Sequence, residues 1–108
     1  MLKGTEKQVA WAEDIIREAR ETISRNIENI KNLQAEYTEK YGEEFKNFRQ
    51  DEVEAFEKCG ESLEAMLAGI DSASKIIDMR SKLSSGNILH MVWEYKNVMN
   101  NRRERNLK

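Results

Sequence analysis

The chain has 108 residues, of which 35% are charged and 39% apolar, with no proline and a formal net charge of −2. This length predicts one domain, and a charged, proline-free, weakly aromatic composition favours long solvent-exposed helices over sheet. There is no apolar run of about 18 residues to span a membrane, no signal-peptide core at the N-terminus, and only one cysteine, Cys59. The sequence therefore predicts a cytoplasmic all-α protein that does not enter membranes.

One unbroken amphipathic helix is predicted over residues 5–41. Its apolar side chains alternate at spacings of three and four, the repeat of helices that pack along their length, at Val9, Ile16, Ile23, Ile30 and Tyr37. Thr5 and Gln8 fit a capping box at the start, and Gly42 suits the end. The helix would be about 55 Å long, more than the diameter of a compact domain of this size, so its stripe needs a partner.

Asn26 interrupts the apolar stripe in a position that Ala12 and Ala19 hold in earlier turns. Two interpretations are open. Asn26 is partly exposed while Ile27 makes the core contact, or it is a buried asparagine that fixes the register of a coiled coil. The neighbouring Ile27 favours the first.

A second helical rhythm runs from Val53 to Leu83, which predicts the other arm of a long antiparallel hairpin. Gly60 lies on its apolar stripe and favours a close helix–helix contact. Gly69 lies beside the stripe, where a kink and a contact are equally open. After a loop at 84–87, a shorter helix is expected to end near residues 100–101. Its apolar face contains Ile88, Met91, Val92, Tyr95, Val98 and Met99, with Leu89 and Trp93 at the edge.

Charge is unevenly distributed along the chain. Residues 42–83 carry a net charge of −4, and residues 84–108 carry a net charge of +3. Opposite charges of this kind would steer one element onto another or onto a second subunit. We expect a single helical domain over residues 1–101, followed by a basic, disordered tail over residues 102–108, which has no apolar period.

Two segments resemble motifs of small, uncharacterised bacterial proteins that are often encoded on phages, plasmids and integrated mobile elements. Residues 4–17, GTEKQVAWAEDIIR, are similar to an N-terminal motif of the form GTEKQxxWAExIR. Residues 73–80, ASKIIDMR, resemble a second signature, AxxWIDxR, with Ile76 where tryptophan is usual and Met79 where asparagine is usual. The resemblance implies a mobile-element origin and a pairing of the two motifs, and it supplies no catalytic activity.

The paired motifs offer one candidate partner or ligand site, formed by Trp11, Arg17, Asp78 and Arg80. The alternative is that the motifs are a packing unit, with Trp11 extending the core against Ile76 and Ile77. An aromatic residue at helical spacing is more often core, which favours packing.

The sequence predicts no catalytic residue, no metal ligand and no cofactor. Cys59 and His90 lie on different predicted helices, and a nucleophilic pair would need them within hydrogen-bond reach. The acidic row at 54, 57, 61 and 64 lacks the Glu-x-x-His motif of di-iron bundles, which indicates a solvated face.

Two functions are compatible with these features of the sequence. The first is a non-enzymatic helical protein–protein interaction module, most simply a homodimer in which two hairpins form a four-helix core. The alternative to the homodimer is a monomer in which the third helix folds back and caps the hairpin. The second function is nucleic-acid binding, since Trp93 and Tyr95 lie near a basic cluster of Lys96, Arg102, Arg103, Arg105 and Lys108. An overall pI of about 5.6 argues against it.

Overall fold

A computed structural model describes the backbone of residues 2–106 and the side chains of residues 2–98. Its elements are α1 (Glu6–Tyr41), a 3-10 turn (Glu43–Phe45), α2 (Gln50–Ala68), α3 (Ala73–Asp78) and α4 (Ser85–Asn106). The expected all-α fold is confirmed, because the described residues contain no strand beyond an isolated bridge between Lys3 and Ser72. In this part of the chain no helix combines the length and apolarity needed to cross a membrane.

Helix α1 begins and ends where the sequence predicts. The Thr5 hydroxyl accepts a hydrogen bond from the backbone N–H of Gln8, and Gln8 Oε1 accepts one from the backbone N–H of Thr5, both at 3.2 Å. At the other end Gly42, with a φ of 109°, donates its N–H to the carbonyl of Thr38 at 3.0 Å. These caps satisfy backbone groups that helix ends leave unpaired, and so they fix the length of α1.

The apolar stripe of α1 is covered within the chain. Ala12, Ala19, Ile23 and Ile30 are buried, and α1 contacts α2, α3 and α4. Their neighbours in the core are Val53, Phe56, Leu63, Ala73, Ile76, Ile77, Ile88 and Val92. The pattern predicts this stripe at the seam of a dimer, whereas its central residues already pack inside one chain.

Asn26 is half-buried, and its amide donates a hydrogen bond to the carbonyl of Thr22 one turn earlier, at 2.6 Å. Ile27 packs against the core beside it. The first interpretation of Asn26 therefore describes its environment, because the amide is satisfied within its own helix.

The second arm of the hairpin is divided, in contrast to the single helix expected up to Leu83. Helix α2 ends at Ala68, and the chain turns before α3. The N-terminal segment pairs with this turn. The backbone N–H of Lys3 donates to the carbonyl of Asp71 at 2.6 Å, and the carbonyl of Lys3 accepts a hydrogen bond from the N–H of Ala73 at 2.9 Å. Gly69 has a low helix propensity, so the helix ends where these backbone bonds are available.

Gly60 lies at a close contact between α1 and α2, as the sequence favoured. A Cβ at this position would lie 3.6 Å from Cγ2 of Ile23, an ordinary van der Waals distance. The two helices therefore approach closely here with little spare room.

The connection from α1 to α2 contains a buried polar group that the apolar pattern did not reveal. The buried Gln34 amide donates to the carbonyl of Phe48 at 2.8 Å and to Oε1 of Gln50 at 3.0 Å. The rings of Tyr37 and Phe48 pack beside it, with their centroids 4.9 Å apart. The Gln34 amide thereby holds the turn against α1.

Helix α4 folds back onto α1 and α2, so it packs on both of these helices within one chain. Ile88 and Val92 are buried, and Tyr95 packs on the core. The helix continues to Asn106, five residues beyond the end expected near Asn101. The separate status of residues 102–108 stays a prediction, because their side chains lie outside the described part.

The molecule is a flat slab, with principal extents of 53 × 35 × 20 Å and a radius of gyration of 17.1 Å. A compact chain of this length would have a radius of gyration of about 13 Å. The shortest axis corresponds to about two layers of helices. The core is therefore thin, and much of each helix faces solvent.

Candidate functional site

Two of the four residues of the candidate partner site lie together. The guanidinium of Arg80 stacks over the ring of Trp11, with Cζ 5.5 Å from the ring centroid, and Nη1 donates to the carbonyl of Ile77 at 2.9 Å. Trp11 is 50% exposed, so it does not extend the core sideways as the packing interpretation assumed. A cation–π contact at an exposed site contributes about 0.5–1 kcal/mol.

The two motif segments do meet in the structure. A Cβ on Gly4 would lie 3.1 Å from Cβ of Ala73, so the first residue of each motif is in close contact. Ala12 and Ile76 are both fully buried in the core between these segments. The motifs thus form a packing unit at one end of the slab, with the Trp11–Arg80 stack on its surface.

Arg17 and Asp78 are not part of that stack. Arg17 lies six residues after Trp11, which places it about 120° away around the helix. Its guanidinium pairs with Asp14 at 2.8 Å and with Glu21 at 3.9 Å. Asp78 is exposed, and within the described residues no hydrogen bond or ion pair joins it to the other three. The structure therefore does not bring the four residues into a single site.

Arg17 lines a wide groove of about 670 Å³ between α1 and the α2–α3 turn. Its floor is apolar and includes Leu67 and Ile76. Arg20 also lines the groove, and its guanidinium donates two hydrogen bonds to Glu64 of α2, from Nε to Oε1 at 2.7 Å and from Nη2 to Oε2 at 2.9 Å. Basic and acidic side chains alternate along the rim, so the groove has no single charge that would select a ligand.

The basic candidates for nucleic-acid binding divide into two groups. Lys96 is half-buried and donates to Oε1 of Glu52 at 2.8 Å, with Asp51 at 3.6 Å. These bonds hold α4 against the start of α2 and engage the Lys96 ammonium within the chain. The other four residues, Arg102, Arg103, Arg105 and Lys108, lie outside the described side chains.

The charges around Lys96 alter the protonation of their partners. Burial is the strongest single influence on Glu52 and opposes its ionisation, but hydrogen bonds from Arg49 and Lys96 together outweigh it and lower the pKa of Glu52. The bond to Glu52 raises the pKa of Lys96. Both groups are therefore held in their charged forms, and the cluster acts as an electrostatic clasp between α2 and α4.

Helix α4 presents apolar side chains on both sides of its buried stripe. Leu89 and Trp93, one turn apart, are 44% and 59% exposed. We call this pair the Leu89 flank. Met91 and Val98 are also exposed, and Met91 lies about 160° from Leu89 around the helix. We call this second pair the Met91 flank. The sequence predicts Met91 and Val98 on the main apolar face of α4. In the structure, the rest of the chain covers only the part of that face between the two flanks, which contains Ile88 and Val92.

A cavity of about 360 Å³ opens between α2 and α4, beside the Met91 flank. Its apolar lining includes Cys59, Leu63, Met66, Met79, Ile88 and Met91. A smaller cavity of about 310 Å³ shares Cys59, Ser62 and Met91 with it and continues along α4 to Val98. We call the two together the α2–α4 slot. Periodicity identified some of these residues as core, but not the space between them.

Cys59 and His90 have separate environments. Burial raises the pKa of the Cys59 thiol, which keeps it protonated and poorly nucleophilic. His90 lies on the outer surface of α4, where Nε2 is 2.9 Å from Oε1 of Glu94 and the ring stacks on Trp93. Across the described residues, no three histidine, cysteine, aspartate or glutamate side chains are grouped to hold a metal ion.

Comparisons of this chain with protein-family models, with characterised proteins and with solved structures give no match. The resemblance of residues 4–17 and 73–80 to mobile-element proteins stays a prediction.

Proposed function

We propose that this chain is a non-enzymatic helical interaction module that associates with a second copy of itself through the Leu89 flank of α4. The observation that carries the proposal is the exposure of Leu89 and Trp93, two large apolar side chains one turn apart on the same side of a helix. Exposed apolar patches on a folded domain are typical of interaction surfaces. Tryptophan is also enriched among residues that dominate binding energy.

A second copy is the occupant that this flank fits best. In a two-fold pair, α4 of one copy lies antiparallel to α4 of the other, so Leu89 and Trp93 meet their own counterparts near the axis. Stable interfaces bury roughly 1,200–2,000 Å² in total. Helix α4 is about 33 Å long, so its backbone could lie along its counterpart over a distance greater than these two side chains span.

The shape of the molecule also supports self-association. A slab only 20 Å thick gains a further covered layer when two copies pack together.

Sedimentation velocity of the full chain at micromolar concentration tests the proposal. We expect a dimer for the natural sequence and a monomer for Leu89→Asp, because an exposed seam residue can become charged without disturbing the core. Val98→Asp is the matched control, since it adds the same charge to the opposite flank and should leave the dimer intact. A monomer for the natural chain throughout this concentration range would exclude the proposal.

Nucleic-acid binding is the second candidate, and the exposure of Trp93 favours it. This ring lies on the helix that leads into the basic segment containing Arg102, Arg103, Arg105 and Lys108. Exposed aromatic rings stack on unpaired bases, while basic side chains neutralise phosphates. A gel shift with single-stranded DNA or RNA, weakened by salt and abolished by Trp93→Ala, would support it. Absence of any shift at low salt would exclude it.

A further inference from the structure

We propose that the α2–α4 slot binds a single-chain aliphatic carboxylate, with its alkyl chain in the slot and its carboxylate at Lys82. The larger cavity of the slot has a volume of about 360 Å³, within the range of small-molecule sites. The slot is separate from the proposed dimer seam, because the Met91 flank lies on the other side of α4 from Leu89. Ligand binding in the slot and dimerisation through the Leu89 flank can therefore be tested, and can fail, independently.

The shape and lining of the slot indicate an alkyl chain. The smaller cavity extends the larger one lengthwise between two helices, from the α3–α4 turn toward Val98. Three methionines, Met66, Met79 and Met91, line the larger cavity, and methionine side chains adapt readily to a flexible ligand. An alkyl chain that enters this open, mostly apolar slot removes its own apolar surface and that of the lining from water.

The charge of the lining indicates a carboxylate. Lys82 is the charged residue among those that line the larger cavity, whereas the acidic residue of the slot, Glu94, lines the smaller cavity together with Lys58. Within the described residues, no carboxylate pairs with the Lys82 ammonium. Asn87 donates to the carbonyl of Lys82 at 2.7 Å and lies 3.6 Å from Sδ of Met91. The Asn87 side chain therefore fixes the backbone of Lys82 next to the cavity.

The hydroxyl of Ser62 and the amide of Asn87 are the uncharged polar groups of the larger cavity. A few polar groups in a mostly apolar lining orient a ligand without dominating its affinity. The expected ligand is thus an amphiphile with one alkyl chain and one negative charge. We commit to a free fatty carboxylate and treat a membrane lipid as an outcome that the test separates.

The experiment uses the full chain with methionine methyl groups labelled with carbon-13, titrated with sodium decanoate below its micelle concentration. We expect the resonances of Met66, Met79 and Met91 to shift in a saturable manner. Affinity should rise about fourfold for each methylene added from octanoate to decanoate, the increment for burying one methylene.

Two variants test the position of the carboxylate. Lys82→Glu should weaken decanoate binding at least about tenfold, the effect of losing one charge-assisted contact. It should leave the binding of uncharged decanol unchanged. Lys75→Glu is the matched control, because it makes the same charge change at an exposed residue of α3 that does not line the slot. The control should bind decanoate as the natural chain does.

Three results would overturn the proposal. The first is the absence of saturable methionine shifts with decanoate, and the second is equal weakening by the two lysine variants. The third is a shift of the same methionines with anionic phosphatidylglycerol vesicles, or on increasing protein concentration, without any response to decanoate. That result would assign the slot to a membrane surface or to a second copy.

Discussion

At the residue scale, two glycines illustrate how surroundings decide the effect of one methyl group. Gly4 has a φ of 154°, and a Cβ there would lie 3.0 Å from Oε1 of Gln8 and 3.1 Å from Cβ of Ala73. The Gln8 oxygen is the acceptor of the capping box of α1. At Gly86, in the first turn of α4, an added Cβ would meet nothing within 4 Å.

We expect Gly4→Ala to lower the free energy of unfolding by about 1–3 kcal/mol, because it combines an unfavourable φ with crowding at the cap. Gly86→Ala should leave it unchanged or raise it by up to about 1 kcal/mol through helix propensity. Urea denaturation of both variants measures the difference. Equal effects of the two substitutions would contradict this account of Gly4.

The electrostatic clasp between α2 and α4, in which Glu52 bonds Arg49 and Lys96, predicts that stability depends on pH. The pKa of Glu52 is lowered in the folded chain, so its contribution is present above the ordinary pKa of a glutamate. That contribution is lost as the pH falls through this value toward the lowered one. At neutral pH, Glu52→Gln should reduce the free energy of unfolding by about 1 kcal/mol.

The difference between the natural chain and Glu52→Gln should shrink as the pH falls, because both then carry an uncharged side chain at this position. Urea denaturation at a series of pH values follows that difference. Glu57→Gln provides the control, since Glu57 is an exposed residue of the same helix. A difference for Glu52→Gln that stays constant with pH would show that the charge makes no contribution.

At the element scale, the spacing of α1 and α2 depends on Gly60. Cγ2 of Ile23 would lie 3.6 Å from a Cβ at this position, so one methyl group fits and a longer side chain does not. The close approach allows the thin core to bury Phe56 and Leu63 against α1. Small residues at such crossings set the distance between helices.

Gly60→Ala should raise the free energy of unfolding by up to about 1 kcal/mol, because alanine improves helix propensity without a clash. Gly60→Leu should lower it by about 1–3 kcal/mol through overpacking. Thermal unfolding followed by circular dichroism compares them. Ala65→Leu, at an exposed position of α2, controls for the added bulk and should be nearly neutral. Tolerance of leucine at position 60 would mean that the helices are not in close contact there.

At the scale of the whole molecule, stability should come from the slab formed by α1, α2, α3 and the first part of α4. Among the side chains that the structure describes, Val92 is the core residue furthest along the chain, and Tyr95 packs against the core. The electrostatic clasp between Lys96 and Glu52 then holds α4 against the start of α2. The charged residues at 102–105 and Lys108 come after these contacts in the sequence.

Removal of residues 102–108 should change the free energy of unfolding by less than about 0.5 kcal/mol, as expected for residues without an apolar pattern. Circular dichroism melting of the truncated and full chains provides the measurement. A clear fall in melting temperature would indicate that this segment docks on the slab. Loss of a nucleic-acid gel shift with unchanged stability would instead assign it to binding.

The sequence by itself determined the all-α class and the bounds of α1, and it indicated the contact at Gly60. These features depend on local patterns, namely the helical period, the capping box and the small residue on a stripe. The pairing of Lys3 with the α2–α3 turn and the clasp between Lys96 and Glu52 join positions far apart in the chain. Such contacts leave no mark on local periodicity.

The tertiary structure also decided how the candidate residues are distributed. Periodicity showed that apolar residues share a face of α4, but not how much of that face a neighbour covers. Only the packed helices show that Met91 and Val98 remain exposed, that Trp11 meets Arg80, and that Arg17 faces elsewhere. The reason is geometric, since coverage depends on the crossing and separation of helices, which a linear pattern does not encode.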